Sequence, residues 1–327
     1  MKRIFRAFYL VFLFIIVINF TACVSSNSNS NNDEPQITKP IETITLNVSS
    51  KAIELGDSIT IYAEVLPIDT DDCIVWSSTN EDVLIVKNGV VKSIGIGTAG
   101  ISVKAKNGKI NKTVSFKVMP KSNGQNDINK CKTLTDSATL TITNKCYNTF
   151  LGITTKSETK TFTATIFKQI STTYYFITGY DNFEKIDGYD YQEWTAEDCN
   201  GNKYEINSIQ YERDYSLGND FRMAIGSINA YILGVLPVSS HGYYYQDERL
   251  YIKDGTTFKT TYMDETVAGS SPVTSRLKYK ESLYGSPVLD SDFNFVGLVI
   301  RKDSFTGYTD FVATWKMNEF IKSCGLA

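Results

Sequence analysis

A mainly β protein of two parts, a small sandwich followed by a segment long enough for two small barrels, is what this sequence predicts, and three observations predict it. Tyr and Phe are abundant at 20 and 18 residues, with many Thr, Ile and Val and only 7 Pro, a balance that favours strands. Apolar residues recur at every second position in run after run, the pattern of a strand buried on one face. Pairs of Gly, Asn and Asp punctuate those runs at short intervals. At 327 residues and 42% apolar content the chain can bury two ordinary cores. A formal net charge of −3 gives no basic footprint, so nucleic acid is not an expected partner.

The N-terminus reads as an export signal. Lys2, Arg3 and Arg6 precede an apolar run over residues 7–18, charged then greasy and too short for a membrane-spanning helix. The run ends in Phe20-Thr21-Ala22-Cys23, which resembles a lipobox, where a signal peptidase cuts once the thiol carries diacylglycerol. The resemblance implies a signal peptide over 1–22, a mature chain starting at lipid-bearing Cys23, and a place on the outer face of a cell membrane. Two or more acyl chains, palmitate among them, anchor stably where one is marginal. Phe20 stands where Leu is usual, and an uncleaved anchor is the alternative. Residues 23–39, rich in Ser and Asn, form a flexible stalk because they cannot bury a core. Beyond Cys23, the cysteines Cys73, Cys131, Cys146, Cys199 and Cys324 are odd in number and cannot all pair within one chain. Cys131 and Cys324 flank the C-terminal region as a candidate staple, with buried free thiols the alternative.

Residues 40–120 alternate with period two at Ile44, Leu46 and Val48, at Ile59, Ile61, Ala63 and Val65, at Ile101, Val103 and Ala105, and at Val114, Phe116 and Val118. Turns fall at Gly56-Asp57, Asn88-Gly89 and Asn107-Gly108, the rhythm of a sandwich of short antiparallel strands. Gly95-Ile96-Gly97 is another such turn and not a nucleotide loop, because no strand-to-helix unit surrounds it. Leu55-Gly56-Asp57, Leu66-Pro67, Val75-Trp76-Ser77-Ser78-Thr79-Asn80, Asn88-Gly89-Val90-Val91 and Gly97-Thr98-Ala99 together resemble the bacterial immunoglobulin-like group 2 (BIG2) domain. The resemblance implies a surface spacer or adhesion-like module with no catalytic residue. Trp76 is read as core and not as a carbohydrate platform.

A polar linker over 121–130 leads into a second domain, 131–327. Its expected strands are 138–143, 162–167, 174–178, 203–211, 221–225 and 295–300, with one helix over 315–322. Three stretches, in order, resemble the trypsin-like (S1-type) serine peptidases and imply a trypsin-like double β-barrel. Ala164-Thr165-Ile166-Phe167-Lys168 and then Tyr174 to Phe183 look like the strand and turn that present the catalytic His, and that position holds Asp181. Cys199-Asn200-Gly201-Asn202-Lys203-Tyr204 and then Asn219-Asp220-Phe221 look like the elements that supply the catalytic Asp, retained as Asp220. Tyr284-Gly285-Ser286-Pro287-Val288 is similar to the nucleophile loop, with Tyr284 in the serine slot and Ser282 where the oxyanion-hole glycine belongs.

The chemistry makes these departures severe. A neutral Ser hydroxyl attacks only when an imidazole takes its proton and an acid orients that imidazole. Asp181 beside Asp220 would add like-charge repulsion in place of a proton shuttle. Ser286 lies two positions past the slot. His241, the sole histidine, falls outside all three stretches and reads as a turn residue beside Gly242. With one His, no clustered Cys and no calcium-loop spacing of carboxylates, no metal or cofactor is expected. Tyrosine-rich stretches such as Tyr243-Tyr244-Tyr245 and Tyr174-Tyr175 suit either a binding face or half-buried packing. The expectation is a membrane-anchored, non-catalytic serine-protease homologue that binds a polypeptide by strand addition. The alternatives are a hydrolase with a rearranged site built on His241 or Ser286, and a purely structural or adhesive surface protein.

Overall fold

A computed structural model describes residues 39–184, 186–214, 221–240, 242–269 and 272–326. The expected signal peptide, Cys23, the stalk up to residue 38, Asp220 and His241 lie outside the described residues. No helix among the described residues is long and apolar enough to cross a membrane.

The first region is built from β1 (Thr43–Leu46), β2 (Lys51–Glu54), β3 (Ser58–Thr60), β4 (Ala63–Leu66), β5 (Ile74–Ser78), β6 (Leu84–Lys87), β7 (Val90–Ser93), β8 (Gly97–Ala105) and β9 (Asn111–Met119). One sheet has the order β2-β9-β8-β5 and a second β3-β7-β6, with β1 and β4 as a separate pair. Ile101 and Phe116 of the first sheet meet Leu84 and Val91 of the second in a sealed sandwich core. The alternating run from Ile59 to Val65, which reads as one strand, is two: β3 pairs with β7 and β4 pairs with β1. The Asn88-Gly89 turn is the cause. Asn88 and Gly89 both sit at positive φ, and the Gly89 carbonyl accepts the Ile61 N–H at 2.8 Å, pinning the chain where it changes sheets. Trp76 is half-buried and packs against both core clusters of the sandwich.

The stretch 121–130, expected as a linker, contains the first half of α1 (Gln125–Asp136). Ile128, Cys131 and Thr135 form a helical stripe turned toward the core, and the Asn123 N–H donates to Asp127 at 2.8 Å as the helix begins. Polar composition hid that stripe. There follow β10 (Thr139–Phe150), β11 (Ile153–Ile170), β12 (Thr173–Gly179), β13 (Tyr191–Glu197), β14 (Lys203–Glu205), β15 (Ser208–Asp214) and β16 (Phe221–Asn229). They form one curled antiparallel sheet, β14-β13-β10-β11-β12-β16-β15. The single strand expected over 203–211 is again two, since β14 pairs with β13 while β15 pairs with β16.

The second barrel comprises β17 (Tyr243–Tyr244), β18 (Arg249–Asp254), β19 (Thr257–Tyr262), β20 (Val267–Ala268), β21 (Val273–Lys278), β22 (Pro287–Leu289), β23 (Phe295–Lys302) and β24 (Tyr308–Ala313). Its main sheet runs β19-β18-β22-β23-β24-β21, and a bridge between Met263 and Ser275 brings the two end strands together. The chain closes with α2 (Thr314–Ser323), close to the expected helix. The protein is thus mainly β, and its two curled sheets have the form of a trypsin-like double β-barrel.

The two barrels repeat local devices. In one, Asp198 accepts the N–H groups of Asn200 and Asn202; in the other, Asp290 accepts those of Asp292 and Asn294, at 2.8–2.9 Å throughout. The positive-φ position of this turn is Gly201 in the first barrel and Phe293 in the second. Each barrel also lays a phenylalanine ring over a glycine. Phe176 covers Gly226 and Phe311 covers Gly297, and a Cβ on either glycine would meet the ring at 2.2 Å. Between the barrels, Phe167, Ile177 and Ile225 pack on Tyr251, Leu289, Phe295 and Leu298.

The sandwich is tied to the second barrel by buried charges. Lys117 of β9 pairs with Glu248, which is 0% exposed, and Arg249 reaches Glu54 and the carbonyl of Pro120. Ala52, Met119 and Tyr245 fill the apolar part of this joint, and the Ala52 N–H donates to the Gln246 carbonyl. Burial alone would lower the Lys117 pKa, but the carboxylates of Glu248 and Asp290 outweigh it and hold the ammonium above its ordinary value.

Candidate functional site

The face between the barrels is assembled by two short turns, one from each. In the first barrel β12 ends at Gly179 and runs into a 3-10 turn, Tyr180–Phe183, which carries Asp181 into solvent. Thr178 and Asn182 brace this turn: the Thr178 hydroxyl donates to the Thr163 carbonyl at 2.7 Å and receives the Asn182 amide at 3.4 Å. In the second barrel a 3-10 turn, Glu281–Leu283, leads to Tyr284 and then to Gly285 at φ 77°. Gly285 is required twice over. Its backbone is left-handed, and a Cβ there would lie 2.5 Å from the Thr178 hydroxyl, so this loop of one barrel presses directly on a strand of the other.

The two sequence-matched positions that lie within the described residues do meet. The Asp181 N–H donates to the Tyr284 hydroxyl at 3.3 Å. The ring of Tyr284 lies against Gly179, so closely that a Cβ at 179 would fall 2.3 Å from it. Tyr284 therefore fills the space over Gly179, beside the turn that carries Asp181. Burial, then the nearby charge of Asp181, pushes the Tyr284 hydroxyl far above the ordinary phenol pKa, so it stays neutral and a poor nucleophile at any physiological pH. Tyr279 is shifted upward as well, by burial first and then by Glu281 and Asp181.

Oxyanion stabilisation needs backbone N–H groups free to point at the reacting oxygen. Here the Tyr284 N–H is taken by the Glu281 carbonyl at 3.1 Å and the Leu283 N–H by that of Lys280 at 3.0 Å. Of the two donors the resemblance implies, the N–H of the slot residue is thus committed within the turn. Ser282, in the place expected for the oxyanion glycine, is exposed and donates to Asp254 at 3.2 Å. Ser286 is 0% exposed, its N–H is held by the Leu283 carbonyl, and its hydroxyl is sealed in without a partner. A hydroxyl in that position does not meet a substrate.

The tyrosine clusters divide by burial. Tyr244 is a core residue whose hydroxyl donates to the Val296 carbonyl and accepts the Thr314 N–H at the start of α2. Tyr245 belongs to the joint and Tyr174 to the first barrel's core. Cys131 and Cys324 pack against one core cluster and are not joined by a disulfide, and burial pushes the Cys131 thiol up to about 12. Cys73, Cys146 and Cys199 form no disulfide either among the described residues. Sequence reasoning missed Gly179, whose lack of a side chain makes room for Tyr284, and the aromatic lining of the first barrel's mouth. The first is visible only once Gly179 and Tyr284, far apart in the chain, are brought together.

No protein-family model matches the chain. Over 93 residues it is 37% identical to a kappa-carrageenase from Pseudoalteromonas carrageenovora, a match that covers 26% of this chain and 23% of that enzyme. Among solved structures it is similar to a serine endoprotease from Yersinia pestis, with a TM-score of 0.43 and 13% identity over 61% of this chain and 66% of that one. Both likenesses are partial: this chain spans about a quarter of the carrageenase and 66% of the endoprotease chain.

Proposed function

We propose that this protein is a membrane-anchored surface lipoprotein whose double-barrel domain is a non-catalytic serine-protease homologue that binds a polypeptide, held out from the surface by the sandwich. One observation carries the non-catalytic part. The slot that would hold an activated serine holds a neutral tyrosine, packed on Gly179 and hydrogen-bonded to the Asp181 backbone, and its own N–H is already spent on the Glu281 carbonyl. Without a proton relay, and with the Tyr284 N–H withheld from an oxyanion, acyl transfer lacks an activated nucleophile and part of its charge stabilisation. A face between two antiparallel barrels still suits an extended chain, because sheet edges recognise polypeptide backbone whatever its sequence. The anchoring part is supported by the charged, then apolar, then Cys23 order of the N-terminus.

The test is labelling of the purified chain with a fluorophosphonate probe, which modifies activated serines. No labelling is expected, and none at Ser286 even in a Tyr284→Ser variant, because the Ser286 hydroxyl stays buried. A labelled serine in the unaltered chain would replace this reading with that of a working hydrolase and would identify its nucleophile. For the anchor, the expected result is a mass increment of acyl chains on Cys23 that disappears in Cys23→Ala.

A further inference from the structure

The first barrel is not closed, and its opening has a definite form. The chain leaves β13 by way of β14, which pairs only with Thr195, Ala196 and Glu197. It then crosses at Ile206 and Asn207 to pair with β16 as β15. β14 and β15 are therefore the two edges of one sheet, and the earlier half of β13, residues 191–194, has no strand on its outer side among the described residues. A gap of about 430 Å³ lies between them. That volume falls in the range of about 300–1,000 Å³ usual for ligand pockets.

Tyr180, Trp194, Ile209 and Tyr211 line it together with the polar Asn207 and Ser208, and among the described residues no charged side chain lines it. Tyr180 and Tyr211 are paired at 4.8 Å on one lip, with Tyr211 58% exposed. The Trp194 indole N–H is buried and has no acceptor among the described residues, a desolvation that nothing there compensates. Gln192 cannot relieve it by turning, because its amide is committed to Asn144 and to the carbonyls of Phe183 and Glu184.

We propose that this gap binds an extended polypeptide segment, which adds as a strand along the free edges and places one aromatic or β-branched side chain inside. Unpaired strand edges offer alternating N–H and C=O groups that only another peptide backbone matches along its length. The aromatic walls favour an apolar side chain over an ionised one, because no charged group among the described lining residues offsets the desolvation of an ion. Tyr180 lines the gap and precedes Asp181, so the gap opens beside the inter-barrel face, but its occupancy does not depend on whether that face binds peptide or retains catalysis.

The probe is the blocked pentapeptide acetyl-Thr-Val-X-Val-Thr-amide, with the photoreactive benzoylphenylalanine as X, irradiated with the full-length chain in detergent. Cross-links are expected at Trp194 or within residues 206–211. Labelling should fall at least tenfold in Ile209→Asp and at least threefold in Tyr211→Ala, the latter an exposed change that leaves the fold intact. It should also vanish for a peptide with both Val nitrogens methylated, which cannot join a strand. Cross-links confined to Phe295–Lys302 of the second barrel, no cross-link at millimolar peptide, or undiminished labelling by the methylated peptide would each overturn the proposal.

Discussion

The two barrels use the same parts and reach different ends. Each folds an Asp-centred turn, at Asp198 and at Asp290, and each covers a strand glycine with a phenylalanine ring. In the second barrel the end strands meet and residues of β18, β22 and β24 are almost wholly buried. In the first, the sheet stays open on one side, and β10 and β11 run on as a ribbon whose tip exposes Phe150, Leu151 and Ile153. Closure removes edges and leaves a packed support, while an open barrel keeps backbone and aromatic surface available. The division places rigidity next to the sandwich joint and accessible surface on the far barrel.

Core truncation separates the barrels most sharply. Phe311→Ala should cost about 4 kcal/mol and Phe176→Ala about 3 kcal/mol, the latter less because a barrel with an open side can collapse into the void; urea unfolding monitored by circular dichroism gives both numbers, and a reversed order would break the comparison. At the joint, Lys117→Met strands the fully buried Glu248 and should cost about 3 kcal/mol, most of it regained in a Lys117→Met, Glu248→Met double variant, as read by calorimetry.

The paired turns sharpen the comparison through pH. Burial works to raise the Asp198 pKa, but hydrogen bonds from Asn202, Tyr204 and the Asn200 backbone outweigh it and hold the carboxyl below its ordinary 3.8. A depressed carboxylate stabilises the fold above its unfolded pKa and loses that contribution as pH falls through the folded one. Asp198→Asn should therefore cost about 1–2 kcal/mol at pH 7, with the gap to the parent narrowing as pH drops below 3.8; a gap independent of pH would mean the turn is held by shape alone.

Two smaller effects complete the series. Tyr284→Phe removes the acceptor for the Asp181 N–H and should cost about 1 kcal/mol, with the ring still seated on Gly179. Leu151→Ser at the ribbon tip, where the side chain is 86% exposed, should change the thermal midpoint by the equivalent of no more than about 0.5 kcal/mol. A larger change there would show that the tip is covered in the native protein.

Much of the fold was legible in the sequence. Alternation at Ile101, Val103 and Ala105 and at Val114, Phe116 and Val118 marks strands that the structure buries at those residues, because period two is a property of the chain itself. The final helix was legible for the same local reason. Ile59 to Val65 and residues 203–211 misled because alternation tells which residues face inward and not which strand lies alongside. The Gly89 carbonyl captures Ile61 in the first case, and the crossing at Ile206 opens the gap in the second. Helix α1 was hidden by a polar surface whose buried stripe of Ile128, Cys131 and Thr135 means something only against the core it packs on.

The candidate site divides along the same line. Sequence alone determined that Asp181 and Tyr284 stand in the two stretches that resemble peptidase motifs, since identity at a position needs no coordinates. Only tertiary structure decided that the Tyr284 ring lies on Gly179, that Gly285 presses on Thr178, and that Ser286 is sealed from solvent. Those outcomes depend on two barrels pressing together across more than a hundred residues of chain, and no local pattern records how closely distant segments will approach.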